Sequence, residues 1–246
     1  MSDEFLLFVV VGFAAQIVDG AIGMAYGITA ASVLIGFGVP PVTASAAIHA
    51  AEVATTAASG AAHWRAGNVQ RKLMLRLALP GVVGGVAGAM LLTSISGDHL
   101  RPVVAAYLLV MGCVILRRAF HNIETSTQCT GEPALLGLSG GFLDAVGGGG
   151  WGAMVTTTLI GRGLTPRYAI GTANAAEFFV TSAVTATFVL SIGLTLWPII
   201  LGLVIGGVLA APLAAYLTRR VPEQWLMMIV GIIVIALSLR TLAMTV

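Results

Sequence analysis

Apolar residues run along this chain in ten blocks, divided by short polar or glycine-bearing breaks and by one longer polar interruption near the middle. The first five are Phe5–Val18, Ala21–Phe37, Val42–Ala62, Leu73–Ile95 and Pro102–Leu116. A polar stretch from Arg117 to Glu132 follows, and then come Leu135–Val146, Trp151–Ile160, Ala169–Ile192, Leu196–Leu217 and Trp225–Leu239. Blocks of this length and uniformity predict helices, five on each side of a loop.

The two sets repeat one another. Without a gap and at an offset of 125, Asp19 falls on Asp144, Gly23 on Gly148, Gly27 on Gly152, Leu34-Ile35-Gly36 on Leu159-Ile160-Gly161, Gly38 on Gly163 and Pro41 on Pro166. The match continues through Ala50-Ala51-Glu52 on Ala175-Ala176-Glu177 and Thr56 on Thr181, and resumes after a shift with Gly84-Gly85-Val86 and Gly206-Gly207-Val208. An internal repeat of this length is one structural unit used twice. The predicted layout is a first repeat over 1–118, a linker over 119–132 and a second repeat over 133–246, together one integral membrane domain.

Composition fixes the setting. With 58% hydrophobic and 9% charged residues and a mean hydropathy of +0.99, the chain reads as an all-α polytopic membrane protein. A net charge of +2 gives no ground for a nucleic-acid partner. Cys113 and Cys129 lack metal-ligand spacing, and no cofactor is expected. The opening Met1-Ser2-Asp3-Glu4 is acidic, unlike the start of a cleaved signal peptide, so the first apolar block is expected to be retained.

Charge placement sets the topology. If the first two elements return to the side they start from and the next three each cross, ten of the twelve basic residues gather on the opposite side: Arg65, Arg71, Lys72, Arg76, Arg117, Arg118, Arg162, Arg167, Arg219 and Arg220. Only Arg101 and Arg240 stay behind. The positive-inside rule makes the rich side cytoplasmic, so the 119–132 linker is cytoplasmic and both termini are extracytoplasmic, in a cell (inner or plasma) membrane. An odd number of elements inverts the second half relative to the first, the inverted-repeat arrangement of many secondary transporters. Leu135–Val146, at 12 residues, spans about 18 Å of helix against a hydrocarbon core of about 30 Å. The first two elements of each half are therefore read as a broken or re-entrant hairpin, with short tilted crossings as the alternative.

Four of the ten acids fall within or between apolar blocks, and they form two repeat-related pairs: Asp19 with Asp144 and Glu52 with Glu177. Ionisable groups at membrane depth are expensive and mark function. The plain alternative for the aspartates is helix capping, Asp19 before Gly20 and Asp144 at the Gly147–Trp151 turn. No cap applies to the glutamates, which sit three turns into a helix. His49, Glu52 and Thr56 share one face, and Asn174, Glu177 and Thr181 repeat it. His49 reads either as a packing residue or as what makes the site asymmetric. His49 and Glu52 also have a spacing seen in metal sites, but with no third ligand no metal is assigned.

Two carboxylates about 6 Å apart at an effective dielectric near 20 repel by about 3 kcal/mol. No Lys or Arg is expected near the midplane to offset this, so some of the four acids should hold a proton or a cation in at least one state. The tips supply the opposite field. Gly20, Gly23 and the run Gly147, Gly148, Gly149, Gly150 leave backbone N–H groups open at helix starts, where a small anion is favoured. Tyr26 and Trp151 are repeat partners placed to wall or gate the site.

At Asp19-Gly20-Ala21-Ile22-Gly23, at Asp144-Ala145-Val146-Gly147-Gly148-Gly149-Gly150, and at the helices bearing Ile48-His49-Ala50-Ala51-Glu52 and Thr172-Ala173-Asn174-Ala175-Ala176-Glu177, the sequence resembles the sulfite exporter TauE/SafE family of membrane transporters. The resemblance implies two related halves and a small sulfur-containing anion as cargo, sulfite or an organosulfonate. The expectation is a secondary transporter rather than an enzyme. It would work by alternating access and bind substrate at Asp19, Gly20, Gly23, Tyr26, His49, Asp144, Gly147–Gly150, Trp151 and Asn174. Glu52, Glu177, Asp19, Asp144, Thr56 and Thr181 would handle H+ or Na+. Two other readings stay open: a cation carrier built on the four acids, and a membrane-embedded hydrolase or phosphatase using Glu52 and His49. Direction of transport and oligomeric state are left undecided by the sequence.

Overall fold

The computed structural model describes residues 3–22, 24–120, 132–193, 196–217 and 223–244, and among them every regular element is helical. The first half contributes α1 (Asp3–Ile22), α2 (Tyr26–Gly36), α3 (Pro41–Arg65), α4 (Arg71–Ser94) and α5 (Gly97–Arg118). The second contributes α6 (Pro133–Gly147), a π-wound turn over Gly152–Thr156 leading into α7 (Thr157–Gly161), then α8 (Pro166–Ile192), α9 (Trp197–Leu217) and α10 (Glu223–Ala243). Pro41, Pro133 and Pro166 each open a helix, where the missing N–H forfeits no intrahelical bond. Arg71–Ser94, His99–Arg118 and Pro166–Ile192 are each long and apolar enough to cross a membrane. Much of the predicted linker, together with Gly23, Arg219, Arg220 and Cys129, lies outside the described residues.

One boundary differs from the sequence reading. α1 runs on through Asp19 and Gly20 to Ile22, and the next helix starts only at Tyr26, after Ala25 in a left-handed conformation (φ 82°). A lone glycine such as Gly20 is tolerated in a helix at about 1 kcal/mol. Asp19 therefore does not cap a helix beginning at Gly20; it sits on the last turn of the helix before the break.

Packing is exchanged between the halves. α1 lies along α9 while its repeat partner α6 lies along α4; α3 crosses its own partner α8, and α5 packs on α10. The α1–α9 and α4–α6 pairs approach through equivalent glycines, since a Cβ on Gly12 would strike the Leu203 carbonyl and one on Gly137 the Leu77 carbonyl. Small residues at such crossings let backbones come close, which is how helices gain packing energy in lipid.

The two ends of the bundle differ in charge. At one, the end of α2 meets Arg101 and Arg240. At the other, Arg76 pairs with Glu132 at 3.6 Å, Arg162 donates to the Glu132 carbonyl at 3.4 Å, and the Gln70 N–H donates to Thr172 Oγ1 at 3.0 Å.

Candidate functional site

The breaks of the two halves touch. Gly148, Gly149 and Gly150 have φ of 73°, 140° and 143°, a backbone path open to glycine and strained for other residues. It brings the chain so near α2 that a Cβ on Gly27 would lie 2.5 Å from Gly149 Cα. Tyr107 of α5 supports the loop, its hydroxyl donating to the Gly149 carbonyl at 3.2 Å and its ring filling the space beside Gly147.

Asp144 holds this loop from its own helix. Its Oδ1 accepts the Trp151 N–H at 2.8 Å, capping the helix that follows. Its Oδ2 lies 3.1 Å from His49 Nε2, and neither side chain is more than 1% exposed. On the other side of the imidazole, Nδ1 is 2.8 Å from the Ser45 carbonyl, which can only accept, so Nδ1 carries a hydrogen. The Nε2–Oδ2 contact then requires one more hydrogen, either on the ring, giving an imidazolium–carboxylate pair, or on Asp144. Both arrangements are neutral overall and hold one buried proton. Ser45 Oγ in turn donates to the Ala145 carbonyl at 2.6 Å, a second tie from α3 to the end of α6.

The first break is built differently. The Tyr26 amide faces the Asp19 carboxylate, seven residues on, as Trp151 is from Asp144. The Glu52 carboxylate comes to the Gly27 amide at the start of α2, with its second oxygen, Oε2, buried and without a hydrogen-bond partner. Asp19, Glu52 and Glu177 together line a cavity of about 180 Å³. Its wall continues down one face of α3 through Thr55, Thr56, Ser59 and His63, and is closed across by Asn174 of α8 and by Tyr26. No Lys or Arg lines it among the described residues.

The expected site residues thus separate into two groups. Asp19, Tyr26, Glu52, Thr56, Gly150, Asn174 and Glu177 converge on the cavity. His49, Asp144, Trp151 and Thr181 are buried outside its wall, at 0%, 1%, 0% and 0% exposure. Trp151 is fixed by its Nε1–H donating to the Ala173 carbonyl at 3.1 Å, and Gly147–Gly149 form the loop behind. Gly20 belongs to α1, and Gly23 lies outside the described residues. Thr56 and Thr181 donate to the carbonyls of Glu52 (2.6 Å) and Glu177 (3.0 Å), and Asn174 Nδ2 donates to Ser59 Oγ at 2.7 Å.

Several participants were not singled out in the sequence. Ser45 is four residues before His49, and Thr55, Ser59 and His63 extend the Glu52 face at helical spacing, so periodicity could have found them. Tyr107, and Gln16 of α1 on the cavity wall, carry no such signal. Arg118, which donates to Thr157 Oγ1 at 2.8 Å beside Met24, reaches the back of the cavity wall from the end of α5.

An all-helical membrane bundle whose two broken segments meet beside buried carboxylates is the architecture of a membrane transporter. The chain belongs to the sulfite exporter TauE/SafE family, whose model matches residues 8–241. It is 38% identical over 248 residues to the probable membrane transporter protein YtnM of Bacillus subtilis (strain 168), covering 97% of this chain and 83% of that one. No solved structure matches the chain. Family and relative are transporters, and the chain is read as a transporter, not an enzyme.

Proposed function

We propose that the protein is a secondary transporter for a small sulfur-containing oxyanion, sulfite or an organosulfonate, that moves its substrate by alternating access with a coupled proton. The observation that carries this reading is the Glu52 carboxylate seated on the Gly27 amide, with Oε2 unpartnered, inside the cavity. The first turn of a helix offers unpaired N–H groups and positive field to any anion. Ionised Glu52 and an external oxyanion compete for that seat. A proton on Glu52 releases it, so proton and anion bind together, and by linkage each raises the affinity of the other. Glu177 and Asp19, on the same cavity, share this role, and Tyr26, Asn174 and the Gly150 backbone contact the substrate. Gly20 and Gly23 flank the same break. His49 and Asp144 position the second break.

The exchanged packing of the halves is what an inverted repeat would produce, with 1–118 and 133–246 as its units and the Arg-rich end cytoplasmic, both termini lying outside a plasma or inner membrane. Alternating access draws support from sidedness. Thr55, Ser59 and His63 line the cavity, while their repeat partners Val180, Val184 and Phe188 are 0%, 0% and 2% exposed. The polar face of α3 opens on the cavity, whereas at the equivalent positions of α8 Val180 and Val184 are packed on Gly81 and Gly85 of α4. Export of an anion follows an inside-negative potential at about 2.3 kcal/mol per charge per 100 mV; uptake draws on the proton.

The deciding measurement is flux of labelled sulfite into proteoliposomes under an imposed pH gradient or Na+ gradient. Stimulation by the pH gradient is expected. Three carboxylates in a cavity that no Lys or Arg lines among the described residues favour a second reading, a cation carrier, and Na+ flux without any sulfite flux would establish that reading instead.

A further inference from the structure

We propose a second oxyanion site at the opposite end of α2, formed by Arg101 and Arg240. These are the two basic residues that the charge pattern leaves apart from the other ten. Arg101 comes from the start of α5 and Arg240 from the end of α10, and both converge on a cavity of about 290 Å³ bounded by Ile35–Gly38, Thr241 and Met244. Arg101 Nη2 donates to the Ile35 carbonyl at 3.4 Å and Arg240 Nη1 to the Gly36 carbonyl at 3.5 Å. Both contacts are longer than the 2.7–3.2 Å usual for N–H···O bonds, so they hold the guanidinium groups loosely.

A helix C-terminus attracts one cation through its exposed carbonyls. It does not account for two, which repel each other across a shared cavity. Nor does it account for Arg101 Nε, a buried donor with no hydrogen-bond partner. Among the described residues, neither arginine is ion-paired with an acid. Two guanidinium groups with spare donors converging on one space are suited to bidentate recognition of a sulfo or phospho group. The apolar wall from Ile35, Phe37 and Met244 leaves room for a short organic tail beside it. The chemistry recognised is therefore a small oxyanion, as a free sulfur anion or as the phosphate of a lipid headgroup.

The site lies one helix length from the acidic cavity: α2 has 11 residues, about 16 Å at 1.5 Å per residue. Its place as an outer station on the substrate path rests on the transporter reading above; its ability to bind an oxyanion does not. The test is calorimetric titration of sulfate into the purified full-length protein in a non-ionic detergent, with Arg101→Gln, Arg240→Gln, the double variant and Glu52→Gln compared. Weakening by about tenfold or more is expected in each arginine variant, from the loss of charge-assisted bonds, in the wild-type and the Glu52→Gln background alike. Should the glutamines fail to fold, Arg101→Lys and Arg240→Lys keep the charge but lose the fork, and should bind sulfate less tightly than the wild type. Mass spectrometry of co-purified phosphatidylglycerol separates the sources, since lipid lost only in the arginine variants identifies the headgroup as occupant. If neither sulfate nor phosphatidylglycerol depends on the arginines, there is no oxyanion site here. Absence of sulfite flux in the wild type, with arginine-dependent sulfate binding intact, would instead remove the transport reading and leave the site standing.

Discussion

His49 Nε2 stands 3.1 Å from Asp144 Oδ2, joining α3 of the first half to the break of the second. The repeat provides no matching bond. Asn174, which holds the position equivalent to His49, bonds Ser59 across the cavity instead. One break is pinned by a buried, proton-bearing pair, and the other forms part of the cavity wall.

From that pair follows a contrast between two substitutions. Asp144→Asn keeps an acceptor for the Trp151 N–H and offers an amide donor to neutral His49, so stability should change by less than about 1 kcal/mol and transport should persist. Asp144→Ala loses both bonds and strands a buried imidazole, a loss of about 3 kcal/mol. Thermal unfolding in detergent, alongside flux, reads both. A well-folded Asp144→Asn protein without transport would show that Asp144 itself carries the coupling proton.

Gly149→Ala places a methyl against the Gly27 backbone at a φ of 140°. Conformational strain of about 1–3 kcal/mol adds to the clash, so this variant should accumulate poorly or melt well below the parent. Gly161→Ala, with nothing within 4 Å of the added carbon, should be indistinguishable from wild type in a fluorescence-detected size-exclusion profile. Equal behaviour of the two would mean that the breaks do not meet as described.

Much of this was legible because repetition filters noise. The pairs Asp19/Asp144 and Glu52/Glu177 stand out only when the halves are aligned, and periodicity then placed Thr56 and Thr181 on their faces. What periodicity could not give was partnership across the halves. Nothing along the chain says that Asp144 turns to His49 while Asp19 turns to the cavity, because that choice depends on how α3 crosses α8 and α6. The start of α2 was misplaced for a local reason: hydropathy continues through Ala21 and Ile22, whereas the break is a backbone event at Ala25. Tyr107 was invisible because its partner is a carbonyl in a glycine loop, a contact with no sequence period.

The proposed competition between Glu52 and substrate for the Gly27 amide has a pH signature. Acid should tighten oxyanion binding in the wild type, because protonated Glu52 gives up the seat, and alkali should weaken it. Glu52→Gln removes the competing charge, so its affinity should be flat with pH and close to the acid-side wild-type value. Methanesulfonate is a suitable probe, since its own charge is constant where sulfite titrates. A wild-type slope retained in Glu52→Gln would move the coupling proton to Glu177 or Asp19, and Glu177→Gln would then be the variant that flattens.

Sidedness can be tested at repeat partners. Ser59 lines the cavity and is half-buried, whereas Val184, its partner 125 residues on, is fully buried against Gly85 of α4, and Phe188, one turn further on, packs on His49 with ring centroids 6.3 Å apart. In a background lacking Cys113 and Cys129, Ser59→Cys should react with a membrane-impermeant thiol reagent applied at the Arg-rich end, and Val184→Cys should resist it from both sides. Phe188→Ala removes the ring that packs on His49, a loss of about 3–5 kcal/mol of packing. On the proposed alternating-access reading, this truncation trades coupling for leak, seen as sulfite flux that no longer follows the pH gradient. Val184→Cys reacting as fast as Ser59→Cys before any change at Phe188 would mean that the α8 positions are not packed away, and the alternating-access reading would lose its support.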